Sequence, residues 1–194
     1  KKVGVTEFLA HKCNLKKDSE VMMIYNKNFS VVPLTTHIKI RDVSKLINYN
    51  LIKNKIITLN KCYKKLFNRT PKIAILGLNP HNSEYSQKSE EILNIIPSIS
   101  KLRKRGLNIF GPFVSDTFFI EKYKKFNVVI GMYHDQVLTP FKTLFHFNAI
   151  NITLGLNYIR VSPDHGPGKD IVGKKKANYF SLLQCVKFIS RLKK

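Results

Sequence analysis

Three stretches of this chain are apolar on almost every residue: "FSVVPLTT" (29–36), "KIAILGL" (72–78) and "FNVVIGMY" (126–133). A strand with one face in water alternates apolar and polar side chains, so strands written like these need cover on both faces. The cover is written between them. Val43, Leu46 and Ile47, then Ile52, Ile56, Leu59, Tyr63 and Leu66, recur at helical spacing. The segment "SEEILNIIPSISKLRKRG" (89–106) opens on a Ser cap and early glutamates, and Gly106 is its stop signal. Its internal Pro97 should bend or restart the helix. "EVMMIYN" (20–26) reads as a strand joined to 29–36 through the Asn26–Asn28 turn, forming an antiparallel edge. "INITLGLNYIRVS" (150–162) reads as one or two strands. The chain closes on an amphipathic helix carrying Phe180, Leu183, Val186, Ile189 and Leu192. Strand–helix–strand order with such buried runs predicts an α/β fold, a mostly parallel sheet flanked by helices.

No repeat or Gly/Ser linker divides the 194 residues, which suit one domain or one lobe of a larger protein. The formal charge of +22 calls for anionic partners such as nucleic acid, an acidic membrane or phosphorylated metabolites. Lysine supplies 28 of the 34 basic residues, scattered as in Lys16, Lys17, Lys64, Lys65, Lys124 and Lys125. Only "GKKKAN" and "RLKK" form small clusters. That distribution describes a solvated lysine-rich surface; a basic nucleic-acid-binding module is the non-enzyme alternative. No apolar run reaches the ~18 residues of a membrane span. Cys13, Cys62 and Cys185 are few, odd in number and widely spaced, which reads as free thiols in a reducing, cytoplasmic setting.

Each of the three apolar stretches runs into a histidine: His37, His81 and His134. In open α/β sheets ligands bind beyond the carboxyl ends of the strands. Three imidazoles delivered there could meet at one point or across a dimer interface, leaving coordination positions open as in a catalytic metal site. Neutral imidazole suits Zn, Co, Ni or Fe. The plainer alternative is that each histidine lines its own loop. In "GMYHDQVLTPFK" (131–142), Asp135 either orients the His134 ring or caps a helix. Lys142, read as lying in a loop broken by Pro140, either binds phosphate, acts as a base or is one more surface lysine. The "SPDHGPGKDIVGKKKAN" stretch (162–178) carries Gly166, Gly168 and Gly173, so its backbone N–H groups could face a nucleotide, or it is a surface loop.

Together these segments resemble the 4-hydroxythreonine-4-phosphate dehydrogenase family of vitamin B6 biosynthesis. The resemblance rests on "GVTEF" (4–8), "TTH" (35–37), "GLNPHNSE" (77–84), "GPFVSDT" (111–117), "YHDQVLTPFK" (133–142), "NITLGLNYIR" (151–160) and "SPDHG" (162–166) followed by Asp170, Ile171 and Gly173. It implies an isocitrate/isopropylmalate dehydrogenase-like fold. It implies one divalent metal per site (Zn, Co or Mg) held by His37, His81 and His134, with the third histidine supplied by the partner subunit of a homodimer. Thr6, Lys142, Asn151 and Arg160 fall on substrate-binding positions. Lys142, Asp116 and Asp135 fall on catalytic ones, and His165, Gly166 and Asp170 on the loop holding the adenosine side of NAD or NADP. Residues 1–160 would then be the substrate, metal and dimerisation region, and 161–194 the cofactor loop and closing helix.

The implied reaction is oxidation of 4-phosphooxy-L-threonine followed by decarboxylation of the β-keto acid. Related branches of the family act instead on threonate or erythronate 4-phosphate, or on a dihydrodiol. The chain departs from the pattern at three places. Val5 stands where the family has a phosphate-binding histidine. Val137 replaces a glycine, an unfavourable exchange if φ there is positive. Pro167 removes a backbone donor from the cofactor loop. The family's glycine- and proline-rich N-terminal segment has no counterpart, so the chain is expected to be an incomplete or inactive portion of the enzyme.

Overall fold

The computed structural model describes residues 4–166 and 168–192. Pro167 lies outside them. The elements are α1 (Val5–Lys12), β1 (Val21–Asn26), β2 (Phe29–Pro33), α2 (Val43–Leu46), α3 (Tyr49–Phe67), β3 (Ile73–Leu76), α4 (Ile96–Lys104), β4 (Ile109–Phe113), α5 (Ser115–Phe118), β5 (Val128–Gly131), α6 (His134–Phe145), β6 (Ile150–Leu154), β7 (Arg160–Pro163) and α7 (Phe180–Leu192). All seven strands form one sheet in the order β4-β3-β5-β2-β1-β6-β7. β4, β3, β5 and β2 are mutually parallel, whereas β2–β1, β1–β6 and β6–β7 pair antiparallel. The sheet is therefore mixed. It also continues across residue 160, because β7 begins there and pairs with β6.

The near-continuous apolar strands are buried on both faces, as their composition requires. Ile73 and Ile75 of β3 point into a core built with Ile52, Ile56 and Leu59 of α3, Ile99 and Leu102 of α4 and Phe188 of α7. Ala74 and Leu76 point the other way, into a cluster with Val137, Leu138 and Phe141 of α6 and Phe118 of α5. Each fully buried aliphatic or aromatic side chain contributes about 1.5–3 kcal/mol. Phe29 ties the second cluster to α6, its ring stacking on Phe141 at 6.1 Å.

Local chemistry sets the element ends. Asn48 caps α3 by accepting from the N–H groups of Asn50 and Leu51 at 3.0 and 3.1 Å. Pro97 sits in the first turn of α4, directly after a π-helical turn over Glu91–Ile95, so the proline restarts the helix as expected. The β1–β2 hairpin closes with Asn26 opposite Phe29, and the Asn28 N–H donates to Asn26 Oδ1 at 3.0 Å.

Two sequence expectations are corrected. The hairpin is not an edge: β5 and β6 continue the sheet on either side of it. Ile109–Phe113 form the edge strand β4, where Pro112 costs no ladder bond on its open side. Gly111 is needed there, since a Cβ would lie 2.3 Å from the Ile75 carbonyl oxygen. Pro140 does not break a loop but lies inside α6, so Lys142 is helical. Burial of Val137, Leu138 and Phe141 against the sheet offsets the missing N–H.

Among the described residues no helix is long and apolar enough to cross a membrane.

Candidate active site

β3, β5 and β2 lie side by side and parallel, so their carboxyl ends share one edge of the sheet. His37 and His134 follow the neighbouring strands β2 and β5. The two loops stay in step past the strand ends: Leu34 N–H donates to the Gly131 carbonyl at 2.8 Å, and the Thr35 hydroxyl to the Met132 carbonyl at 2.7 Å. This brings the two imidazoles to 5.9 Å between ring centroids. His134 opens α6, and its Nδ1 lies 2.8 Å from Asp135 Oδ1. A carboxylate offers only acceptors, so in the neutral tautomer that matches this contact Nδ1 carries the hydrogen and the Nε2 lone pair is left for a ligand. On the other ring, His37 Nδ1 stands 3.7 Å from Glu7 Oε1 of α1, which also accepts from the Thr36 hydroxyl.

His81 leaves the same sheet edge differently. Residues His81 through Tyr85 all take positive φ, between 47° and 59°, a conformation costly for non-glycine residues. The turn is pinned by Glu91, which is fully buried and accepts from the Leu78 and Asn79 N–H groups at 2.7 and 2.9 Å and from Asn79 Nδ2 at 3.0 Å. Burial pushes the Glu91 carboxyl up, but the hydrogen bonds from Asn79 and Leu78 outweigh it and hold it below its ordinary value. His81 is exposed and lies outside the cleft that His37 and His134 share. Among the described residues no three His, Cys, Asp or Glu side chains of one chain converge on a metal position.

That cleft, of about 530 Å³, is lined by Thr6, His37, His134, Lys142, Asn151, Arg160, His165 and Gly166 among others. The structure thus brings together most of the residues singled out in the sequence. It leaves out Asp116, exposed at the start of α5 with Oδ1 accepting from the Thr117 N–H at 2.6 Å, and the exposed Asp170. Arg160 donates to the Thr153 hydroxyl at 3.0 Å, and among the described residues no carboxylate lies within ion-pair range of it. Burial pulls this guanidinium below its ordinary value. Asn151 Oδ1 is buried with no partner among the described residues. A guanidinium with no carboxylate partner and a buried acceptor on one wall are suited to an anion and a donor.

Two departures also find their places. Val5 is largely exposed at the cleft. Val137 is fully buried in α6 and is absent from the positive-φ residues, so the strain feared from replacing a glycine does not arise.

Sequence reasoning missed Gln136. Its Oε1 accepts from the Met132 N–H at 2.6 Å, while Nε2 donates to the Gly77 carbonyl at 2.7 Å and the Ser115 hydroxyl at 2.8 Å. One amide thereby ties the ends of β5 and β3 to α5. Its place beside the histidine and aspartate was the only signal.

The sequence model of the family described as "Pyridoxal phosphate biosynthetic protein PdxA" matches residues 1–189. The chain belongs to the PdxA family. It is 42% identical over 193 residues to a 4-hydroxythreonine-4-phosphate dehydrogenase of Sulfurihydrogenibium sp. (strain YO3AOP1), covering 98% of this chain and 59% of that protein. It is 42% identical over 190 residues to the enzyme of the same name from Aquifex aeolicus (strain VF5), covering 97% and 58%. The crystal structure of 4-hydroxythreonine-4-phosphate dehydrogenase from Klebsiella pneumoniae superposes with a TM-score of 0.83 at 32% identity, over 98% of this chain and 58% of that one. The PdxA-family chain described here thus spans under three fifths of the length of these relatives. Its α/β architecture with a mixed sheet is that of the PdxA dehydrogenases, the isocitrate/isopropylmalate dehydrogenase-like fold expected from the motifs.

Proposed function

We propose that this chain carries the substrate- and metal-holding part of an NAD- or NADP-dependent 4-hydroxythreonine-4-phosphate dehydrogenase. The observation that carries the reading is the convergence of His37, His134, Lys142, Asn151 and Arg160 on one cleft at the carboxyl edge of the sheet. The names of the relatives support it.

The donor chemistry fits a divalent metal: two imidazoles face each other, and one has its lone pair directed by Asp135. His37 and His134 of one chain would hold the ion, and His81 of a second copy would complete the set in a homodimer. When bound, such an ion supplies Lewis-acid polarisation of the substrate hydroxyl. Lys142 and Arg160 neutralise the anionic groups of a phosphorylated hydroxy-amino acid. Asn151 Oδ1, buried and without a partner among the described residues, accepts from its ammonium or hydroxyl group. Asp135 serves through His134, and Asp116 is assigned to the catalytic set by its motif.

When bound, the dinucleotide would supply the hydride acceptor for oxidation of the substrate hydroxyl to a ketone. The resulting β-keto acid then loses carbon dioxide. The segment from His165 and Gly166 to Asp170 would hold the adenosine side of the dinucleotide, dividing the chain into a substrate and metal region up to about residue 160 and a cofactor loop with closing helix beyond it.

The test is turnover by the protein carrying this chain, purified with a divalent cation, 4-phosphooxy-L-threonine and NAD or NADP. Formation of reduced nicotinamide and release of carbon dioxide in equal amounts is expected. No reduced nicotinamide with either dinucleotide would sink the reading.

A further inference from the structure

Lys142 is not a free amine in the cleft. Its Nζ donates to the Asp164 backbone carbonyl at 2.9 Å and to Asp164 Oδ2 at 3.0 Å. The Asp164 side chain is only 8% exposed. Among the described residues Lys142 is the sole cation in ion-pair range of it. Asp164 is itself held from behind: its N–H donates to Ser181 Oγ at 2.8 Å, and that hydroxyl donates to the Ala149 carbonyl at 2.5 Å. Ser181 is fully buried in the first turn of α7. A relay of hydrogen bonds therefore runs from the start of β6 through α7 to Asp164 and ends on the ammonium group of α6.

We propose that Asp164 is a positioning residue that holds the Lys142 amino group in place at the wall of the cleft. Two contacts to one residue, one to its carbonyl and one to its buried carboxylate, fix the direction in which the Lys142 amino group points. Two of the three ammonium hydrogens are committed to Asp164, so one is left to meet an anionic ligand. Lys142 then acts as a directed hydrogen-bond donor.

The relay also couples two parts of the site. Asp164 directly precedes His165 and Gly166, which line the same cleft. A shift of that segment when a dinucleotide occupies it moves the partner of Lys142. This coupling rests on the dehydrogenase reading; the ion pair itself does not.

The test is competitive acylation of lysines in the whole protein, with the rate at Lys142 read by peptide mass spectrometry against exposed Lys88. No substrate or dinucleotide is present, so the result is independent of whether the protein is a dehydrogenase. Lys142 should react about tenfold more slowly than Lys88, because its hydrogen bonds to Asp164 must break before the amine can attack. Asp164→Asn should bring Lys142 to within about twofold of Lys88, and Asp164→Glu should restore most of the protection. The proposal is overturned if Lys142 in the unaltered protein reacts as fast as Lys88, a measurement that needs no variant to fold. It is equally overturned if Asp164→Asn, with circular dichroism matching the parent, leaves the Lys142 rate unchanged.

Discussion

Glu91 Oε1 lies 2.7 Å from the backbone nitrogen of Leu78, and this contact fastens the end of β3 to the helical turn behind it. Because Asn79 adds two more donors to the same carboxylate, the group is held below its ordinary carboxylate range although it is fully buried. A carboxyl whose folded pKa is depressed stabilises the protein above the unfolded value of about 4.3, and that contribution is lost as pH falls through the folded value. Glu91→Gln should therefore cost about 1–3 kcal/mol near neutrality. It should also flatten the decline of stability on acidification below about pH 4.3. Urea unfolding of parent and variant across that window checks both; equal slopes against pH would refute the assignment.

Asp135 directs the His134 ring through the 2.8 Å contact to Nδ1. Asp135→Asn can still accept a hydrogen bond but no longer offers a charge, so Nε2 becomes a poorer donor. Affinity for zinc or cobalt should fall about 10- to 100-fold, the usual range for losing such a partner. Chelator competition measures it directly. Asp135 is exposed, so global stability should change by no more than about 0.5 kcal/mol.

Arg160 faces the cleft without a carboxylate partner and rests on Thr153. If it grips an anionic end of the substrate in two parallel hydrogen bonds, lysine cannot replace it. Arg160→Lys should raise KM about tenfold or more with a smaller effect on kcat, and Arg160→Ala should raise it further. Steady-state kinetics of the protein carrying this chain decides. A fall in kcat at constant KM would instead place Arg160 at the reacting centre.

The strands that build the site were legible because β2, β3 and β5 are buried on both faces and can be written in no other way. The histidines were legible for the same reason, since a polar residue directly beyond a buried strand lies at the ligand-binding edge. What followed each strand was not. His37 and His134 converge because their loops remain hydrogen-bonded in step, whereas His81 is carried off by a positive-φ turn that its sequence gives no glycine to announce. β4 was hidden by Gly111 and Pro112, residues that an edge strand tolerates and a central one does not. Gln136, Glu91 and Asp164 escaped notice because each finds a partner that neighbouring residues do not reveal. The Gln136 amide, for example, reaches the carbonyl of Gly77 on another strand.

Gly77 is the residue on which the shape of the His81 turn depends. Its place is set by crowding and not by a positive φ. A Cβ there would meet Asn82 Oδ1 at 2.0 Å, Asn82 Cγ at 3.0 Å and Glu91 Oε1 at 3.1 Å. Asn82 cannot withdraw easily: it is 1% exposed, and its Nδ2 reaches the Pro112 carbonyl at 3.3 Å. Gly77→Ala should therefore push the turn outward and cost about 1–3 kcal/mol, as overpacking does elsewhere. Hydrogen exchange should then accelerate over residues 78–85 while the amides of β5 and α6 keep their protection. If His81 completes a metal site across a dimer, the variant should also lose metal affinity without any change in the 5.9 Å approach of His37 and His134. Exchange rates unchanged over 78–85 would show that the turn absorbs the methyl group and that Gly77 does not set the position of His81.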